Sequence, residues 1–145
     1  MTRIDANDAK DLPITTDDEV QRRVADLLQG AIRRQWWTLY LDEHDVQCPV
    51  VMPMAGYPQD PHEPVGAGST AAGLLANRLS EIIDSIDAAK VIFVWERPGG
   101  AESTPDDRAW AGALGAACRA AGVEVRAQLI LHDHGVRWFA PDDYA

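Results

Sequence analysis

A chain of 145 residues is the length of one domain built around a single core. Its 46% hydrophobic and 25% charged content is ordinary for a globular protein, whereas a net charge of -10 and a pI near 4.6 set it against phosphate backbones and anionic membranes. Non-specific nucleic-acid binding is thereby disfavoured, and no apolar stretch is long enough to span a bilayer.

Met1 to Pro13 is polar and lacks the apolar centre of a signal peptide. It reads as a loose tail ahead of one domain over residues 14–145. Thr16-Asp-Asp-Glu19 has the spacing of a capping box, and Val20, Val24, Leu27, Leu28 and Ile32 follow helical periodicity. This pattern predicts a helix from about Asp17 to Arg33. Trp36 to Asp42 is rich in aromatic and β-preferring residues on both parities and predicts an interior strand. After the polar turn Glu43-His-Asp45, Val46 to Met54 predicts a second strand paired to the first as a hairpin. Pro49 and Pro53 place it at a sheet edge or require a bulge.

Ala55 to Ser69 holds three prolines and three glycines and predicts a long loop, more mobile than the core. Gly66-Ala-Gly68 lacks both a preceding strand and a following Gly-Lys-Ser/Thr, so it is no phosphate loop. Leu75, Leu79, Ile82, Ile83 and Ile86 mark a helix over about Thr70–Asp87. Val91 to Trp95 is apolar on both faces, as a central strand should be. Thr104, Pro105, Asp106 and Asp107 then carry the chemistry of a helix start, Trp110, Leu114 and Cys118 line that helix, and Gly122 ends it. Val123–His132 and Gly135–Phe139 predict a closing hairpin. The order αββαβαββ implies an α/β domain: one mixed sheet with helices on both faces.

The segment Trp95-Glu96-Arg97-Pro98-Gly99-Gly100, followed by Ser103-Thr-Pro-Asp106 at a helix start, resembles the metal-binding loop of the JAB/MPN domain, the fold of JAMM metalloproteases, and of its RadC-like branch. Ala121-Gly122-Val123, Leu129-Ile130-Leu131 and Trp36 to Asp42 are similar to further stretches of that branch. The resemblance covers roughly Gln35 to the end. It implies the JAB/MPN fold with its cytidine-deaminase-like layering. The family binds zinc through two histidines and an aspartate, with a glutamate as base. Here Trp95 and Arg97 stand at the histidine positions, and neither offers a lone pair to zinc. The aspartate falls on Arg108 without gaps and on Asp106 with a two-residue deletion. Arg34 and Gln35 stand where the base is expected. The resemblance therefore implies a pseudoenzyme: no catalytic residues, no cofactor, and a cytoplasmic role in protein interaction or regulation, through an unidentified protein partner or a homodimer.

Candidate site residues collect at the strand–helix loop: Trp95, Glu96, Arg97, Ser103, Asp106 and Asp107. With Glu102, the carboxylates there allow an alternative reading as an enzyme or small-ligand site, since two carboxylates in different environments can divide acid and base roles. Against it, Asp106 and Asp107 suit the first turn of a helix. Arg97 is expected to pair with Asp106 and lock the loop where the family holds zinc. A third reading places a metal on His132 and His134, which share a strand face, with His44, Asp142 or Asp143 recruited in space. Its competitor is a polar hairpin turn at Asp133 and Gly135. Cys48 and Cys118 lack metal spacing and a neighbouring histidine, and read as buried thiols in a reducing compartment. The five tryptophans read as core.

Overall fold

The computed structural model describes residues 12–66 and 68–144. Most of the expected N-terminal tail, residues 1–11, lies outside them. Of its last residues, Pro13 bridges to Val46, and Ile14 beside it is buried. Helix α1 (Asp17–Leu27) starts at the predicted cap: Thr16 Oγ1 accepts the Glu19 amide at 3.2 Å and donates to its carboxylate at 2.9 Å. It is shorter than its periodicity predicts. Leu28 is already extended (φ -125°), and Ile32, the last residue of the predicted stripe, is 78% exposed. A tertiary hydrogen-bonding site, described below, takes the amides that would have continued the helix.

Strands β1 (Gln35–Leu41) and β2 (Gln47–Ala55) form the predicted hairpin. Helix α2 (Ala71–Ser85) is capped by Thr70, whose hydroxyl accepts the Gly73 amide at 3.1 Å. Strand β3 (Lys90–Glu96) leads to helix α3 (Pro105–Ala120), then to β4 (Glu124–His132), β5 (Gly135–Phe139) and a short helix α4 (Pro141–Tyr144). The sheet order is β2-β1-β3-β4-β5, with β3 and β4 parallel and every other pair antiparallel. So β3 is central, as its two apolar faces require, and β2 is an edge. The register slips between Leu39 and Leu41, so the stretch around Pro49 also bulges. The prolines remove two donors from this edge and make it a broken template for strand addition.

Strand alternation splits the core in two. Trp36, Tyr40, Val91, Phe93, Trp95 and Ile130 face α2 and α3. Leu39, Leu41, Ile92, Val94, Leu129 and Leu131 face α1 and Ile14. Helices thus lie on both faces, as expected for this α/β class. Cys48 and Cys118 are both buried free thiols, and burial pushes Cys118 up to about 12, far from a reactive thiolate. No helix among the described residues is long and apolar enough to cross a membrane.

Candidate functional site at the strand–helix loop

Alternation at the end of β3 sends Trp95 and Arg97 toward α3 and Glu96 to the opposite face. Arg97 extends the ladder by one bond, its amide donating to Leu131 O at 3.1 Å. Its guanidinium then organises the loop. Nε and Nη2 donate to Asp107 Oδ2 at 3.1 and 3.0 Å, Nη2 to Glu102 O at 2.7 Å, and Nη1 to Gly100 O. The same Asp107 oxygen accepts the Thr104 amide at 2.8 Å, while Thr104 Oγ1 accepts the Asp107 amide at 3.1 Å. Arg97 does lock the loop, but its partner is Asp107, not the expected Asp106, which is exposed. The reason is helical geometry. In a capping box the residue three after the cap folds back toward it, and the residue before that points away. The Thr104-x-x-Asp107 spacing carries this signal in the sequence.

Ser103 does not join the centre. Its carbonyl and hydroxyl oxygens accept from Arg108 Nη1 at 2.8 and 3.0 Å. Trp95 is a core residue with one buried polar bond: its indole donates to Gln128 Oε1 at 2.7 Å, and Gln128 Nε2 donates onward to Ala111 O at 3.2 Å. The ring stacks on Trp36 at 5.7 Å and meets Tyr57 and Trp110 at 5.9 and 6.1 Å.

Tyr57 comes from the long loop that reads as mobile and poor in apolar content. Instead, the loop's first part is core: Tyr57 and Pro61 are buried. The Arg34 guanidinium lies 3.6 Å over the Tyr57 ring and donates to Tyr57 O at 2.7 Å and Pro58 O at 3.1 Å. Trp110 Nε1 donates to Pro58 O at 2.9 Å. Burial pushes the Tyr57 phenol up to about 12, with Arg34 opposing and Asp107 and Asp106 adding to the rise. So the tyrosine stands within electrostatic reach of the capped helix start. Tyr57, Trp95 and Trp110 together pack the region between strand end and helix start.

Glu96 is only 2% exposed and has no cationic partner among the described residues. Four neutral donors hold it: the amides of Ile32 (2.7 Å) and Arg33 (3.0 Å) on Oε2, and Gln35 Nε2 (2.9 Å) and Trp37 Nε1 (2.7 Å) on Oε1. Burial alone would raise its pKa. The donors from Trp37, Arg33, Ile32 and Gln35 outweigh it and hold the carboxyl below its ordinary range. The carboxylates that look like one cluster in the sequence therefore separate: Glu96 faces the other side of the sheet, Glu102 and Asp106 are exposed, and Asp107 is engaged by Arg97. No acid–base pair is assembled from them.

His132 and His134 do lie close, with rings 6.5 Å apart, but His132 Nδ1 already accepts the His134 amide at 3.2 Å. Asp143, one of the expected recruits, accepts the Ala140 amide at 2.9 Å. Among the described residues no group of three or more His, Cys, Asp or Glu is placed to hold a metal ion. Within those residues, the third donor that this reading needed is not brought in. Burial, then the charge of Arg97 and the neighbouring His134, hold His132 below its ordinary value, against the pull of Asp133.

Compared with known proteins, the chain matches no protein-family model and no curated protein sequence.

Proposed function

We propose that this chain is a non-catalytic module of the JAB/MPN type, close to the RadC-like branch, that works by binding a protein partner or a second copy of itself. The observation that carries the reading is the engagement of the polar groups at the strand–helix loop. Arg97 and Asp107 close the loop on itself, Glu96 is filled by four donors, and Trp95 bonds to Gln128. A hydrolase needs an open electrophilic centre and a free base. Here those positions brace the fold. The brace has a second effect that suits an interaction module. Glu96 fixes the connection between α1 and β1, and that connection displays Ile32 to solvent next to Arg33. A large apolar side chain on a firmly held loop is a natural anchor for a partner. The acidic surface argues against nucleic acid as that partner, and the free thiols of Cys48 and Cys118 suit a reducing cytoplasm.

Elemental analysis of protein purified without chelators tests the loss of the metal centre. The expected result is zinc far below one atom per chain, because indole and guanidinium cannot ligate it. A value near one atom per chain overturns the reading. For the interaction, Ile32→Asp should leave the melting temperature unchanged. It should also abolish either concentration-dependent self-association in sedimentation velocity or the capture of a specific partner. Identical behaviour of both proteins in the two assays removes Ile32 as the anchor.

A further inference from the structure

The turn between β4 and β5 is tied to two other parts of the chain. The Asp133 amide donates to Gly99 O of the strand–helix loop at 3.1 Å, and the Ala31 amide of the α1–β1 connection donates to His132 O at 3.1 Å. One imidazole shapes the turn from within: His132 Nδ1 accepts the His134 amide at 3.2 Å. That bond fixes the tautomer. A ring nitrogen that accepts carries no hydrogen, so the neutral ring keeps its hydrogen on Nε2 and the next proton goes to Nδ1. Once there, it turns the acceptor into a donor that faces a donor.

His132 is 8% exposed, and its surroundings are mostly basic. Alternation puts its side chain on the α3 face with Ile130. There the end of β3 brings Arg97, and β5 brings Arg137, the register partner of Ile130. Both arginines donate to carbonyls of the strand–helix loop, Arg97 to Gly100 and Glu102, and Arg137 to Ala101. From the turn itself come His134, whose ring lies 6.5 Å away, and the exposed acid Asp133. Arg97, His134 and Arg137 oppose a charge on His132, and Asp133 favours it. A proton on Nδ1 therefore removes the bond that shapes the turn and places a cation among cations, so the charged ring gains by moving out to water. The turn has room to move: an open cleft of about 300 Å³ lies between Leu28 and Gln29 at the end of α1 and Gly135 and Val136 at the start of β5.

We propose that His132 is an acid-operated latch: on taking up a proton it releases the β4–β5 turn from the α1–β1 connection and from the strand–helix loop, while the rest of the sheet stays intact. Burial and the neighbouring cations hold His132 below its ordinary value. The latch is thus fully closed above the imidazole range and opens as pH falls through the folded value. Ala31 adjoins Ile32, the anchor of the proposed interaction. On that reading the latch makes partner binding acid-sensitive, but the turn opens whether or not Ile32 binds anything.

Amide hydrogen exchange, read in ¹H–¹⁵N spectra of the full chain from about pH 7 to about pH 4 beside the His132 ring signals, tests the latch. Protection of the Ala31, Asp133 and His134 amides, corrected for the intrinsic pH dependence of exchange, should fall together by at least about ten-fold, with the midpoint of the His132 ring. The amides of Val94 and Leu129 in the central strands should stay protected. His132→Asn offers an amide oxygen as acceptor in place of Nδ1 and does not titrate, so its turn should stay closed over the same range. His134→Asn keeps the backbone donor and should open as the wild type does. If His132→Asn fails to fold, the coincidence of midpoints in the wild type still decides the matter. The latch is overturned if the three amides keep their protection through the His132 midpoint, if they open only with the whole sheet, or if they open equally in His132→Asn.

Discussion

Glu96→Gln is expected to destabilise the fold by about 2–4 kcal/mol, almost as much as Glu96→Ala. The substitution keeps the shape of the side chain and removes one oxygen. Its new amide group then faces donors in a site where all four neighbours donate: two backbone amides, Gln35 Nε2 and Trp37 Nε1. Hydrogen bonds to a charged acceptor are the stronger kind, and a buried donor left without an acceptor costs more than an average bond contributes. Acid titration gives an independent check. Because the folded pKa of Glu96 lies below the unfolded value, its contribution is complete above the ordinary carboxylate range and is lost as pH falls through the folded pKa. His132 is also depressed, so its contribution is complete above the imidazole range and fades in a higher pH window. Wild-type stability, followed by chemical denaturation, should therefore fall in two stages as pH drops. Glu96→Gln should retain the first stage and show a smaller second, to which Glu19 and Asp42 still contribute, so that the gap between the two proteins closes at low pH. A pH-independent gap would show that Glu96 is not held ionised by this loop.

The elements were legible because each rests on local chemistry. Thr16 and Thr104 cap helices at the places their spacing predicts. The two-faced apolar pattern of Val91 to Trp95 marks the central strand, and Pro49 and Pro53 mark the edge. The misreadings are long-range. Helix α1 ends early because a residue 64 positions away binds the Ile32 amide, and a helix carried through Gly30 would gain too little to compete. The roles of Arg34 and Tyr57 depend on contacts 23 residues apart, and that of Trp110 on a contact 52 apart. Periodicity has no access to these. Asp107 is a different case: its place three residues after Thr104 was visible in the sequence, and the local rule outweighs a distant likeness.

The exchange of Asp106 for Asp107 makes the loop's energetics testable one residue at a time. Arg97→Ala should cost about 2–3 kcal/mol, because it leaves the Asp107 carboxylate, 7% exposed, with the Thr104 amide as its one remaining charge-stabilising donor among those described. Asp107→Ala should cost a similar amount. It removes the acceptor for Arg97 Nε, Arg97 Nη2 and the Thr104 amide, and breaks the capping box. Asp106→Ala should cost no more than about 0.3–1 kcal/mol, the value of an exposed acid near a helix start. The double variant Arg97→Ala with Asp107→Ala should fall short of the sum by about 1–2 kcal/mol, since neither single change leaves the other's interaction intact. The companion cycle of Arg97 with Asp106 should be additive within about 0.5 kcal/mol. Strong coupling to Asp106 and none to Asp107 would contradict the geometry. Additivity in both cycles would mean that the guanidinium holds the loop through the Gly100 and Glu102 carbonyls alone, with the ion pair adding nothing.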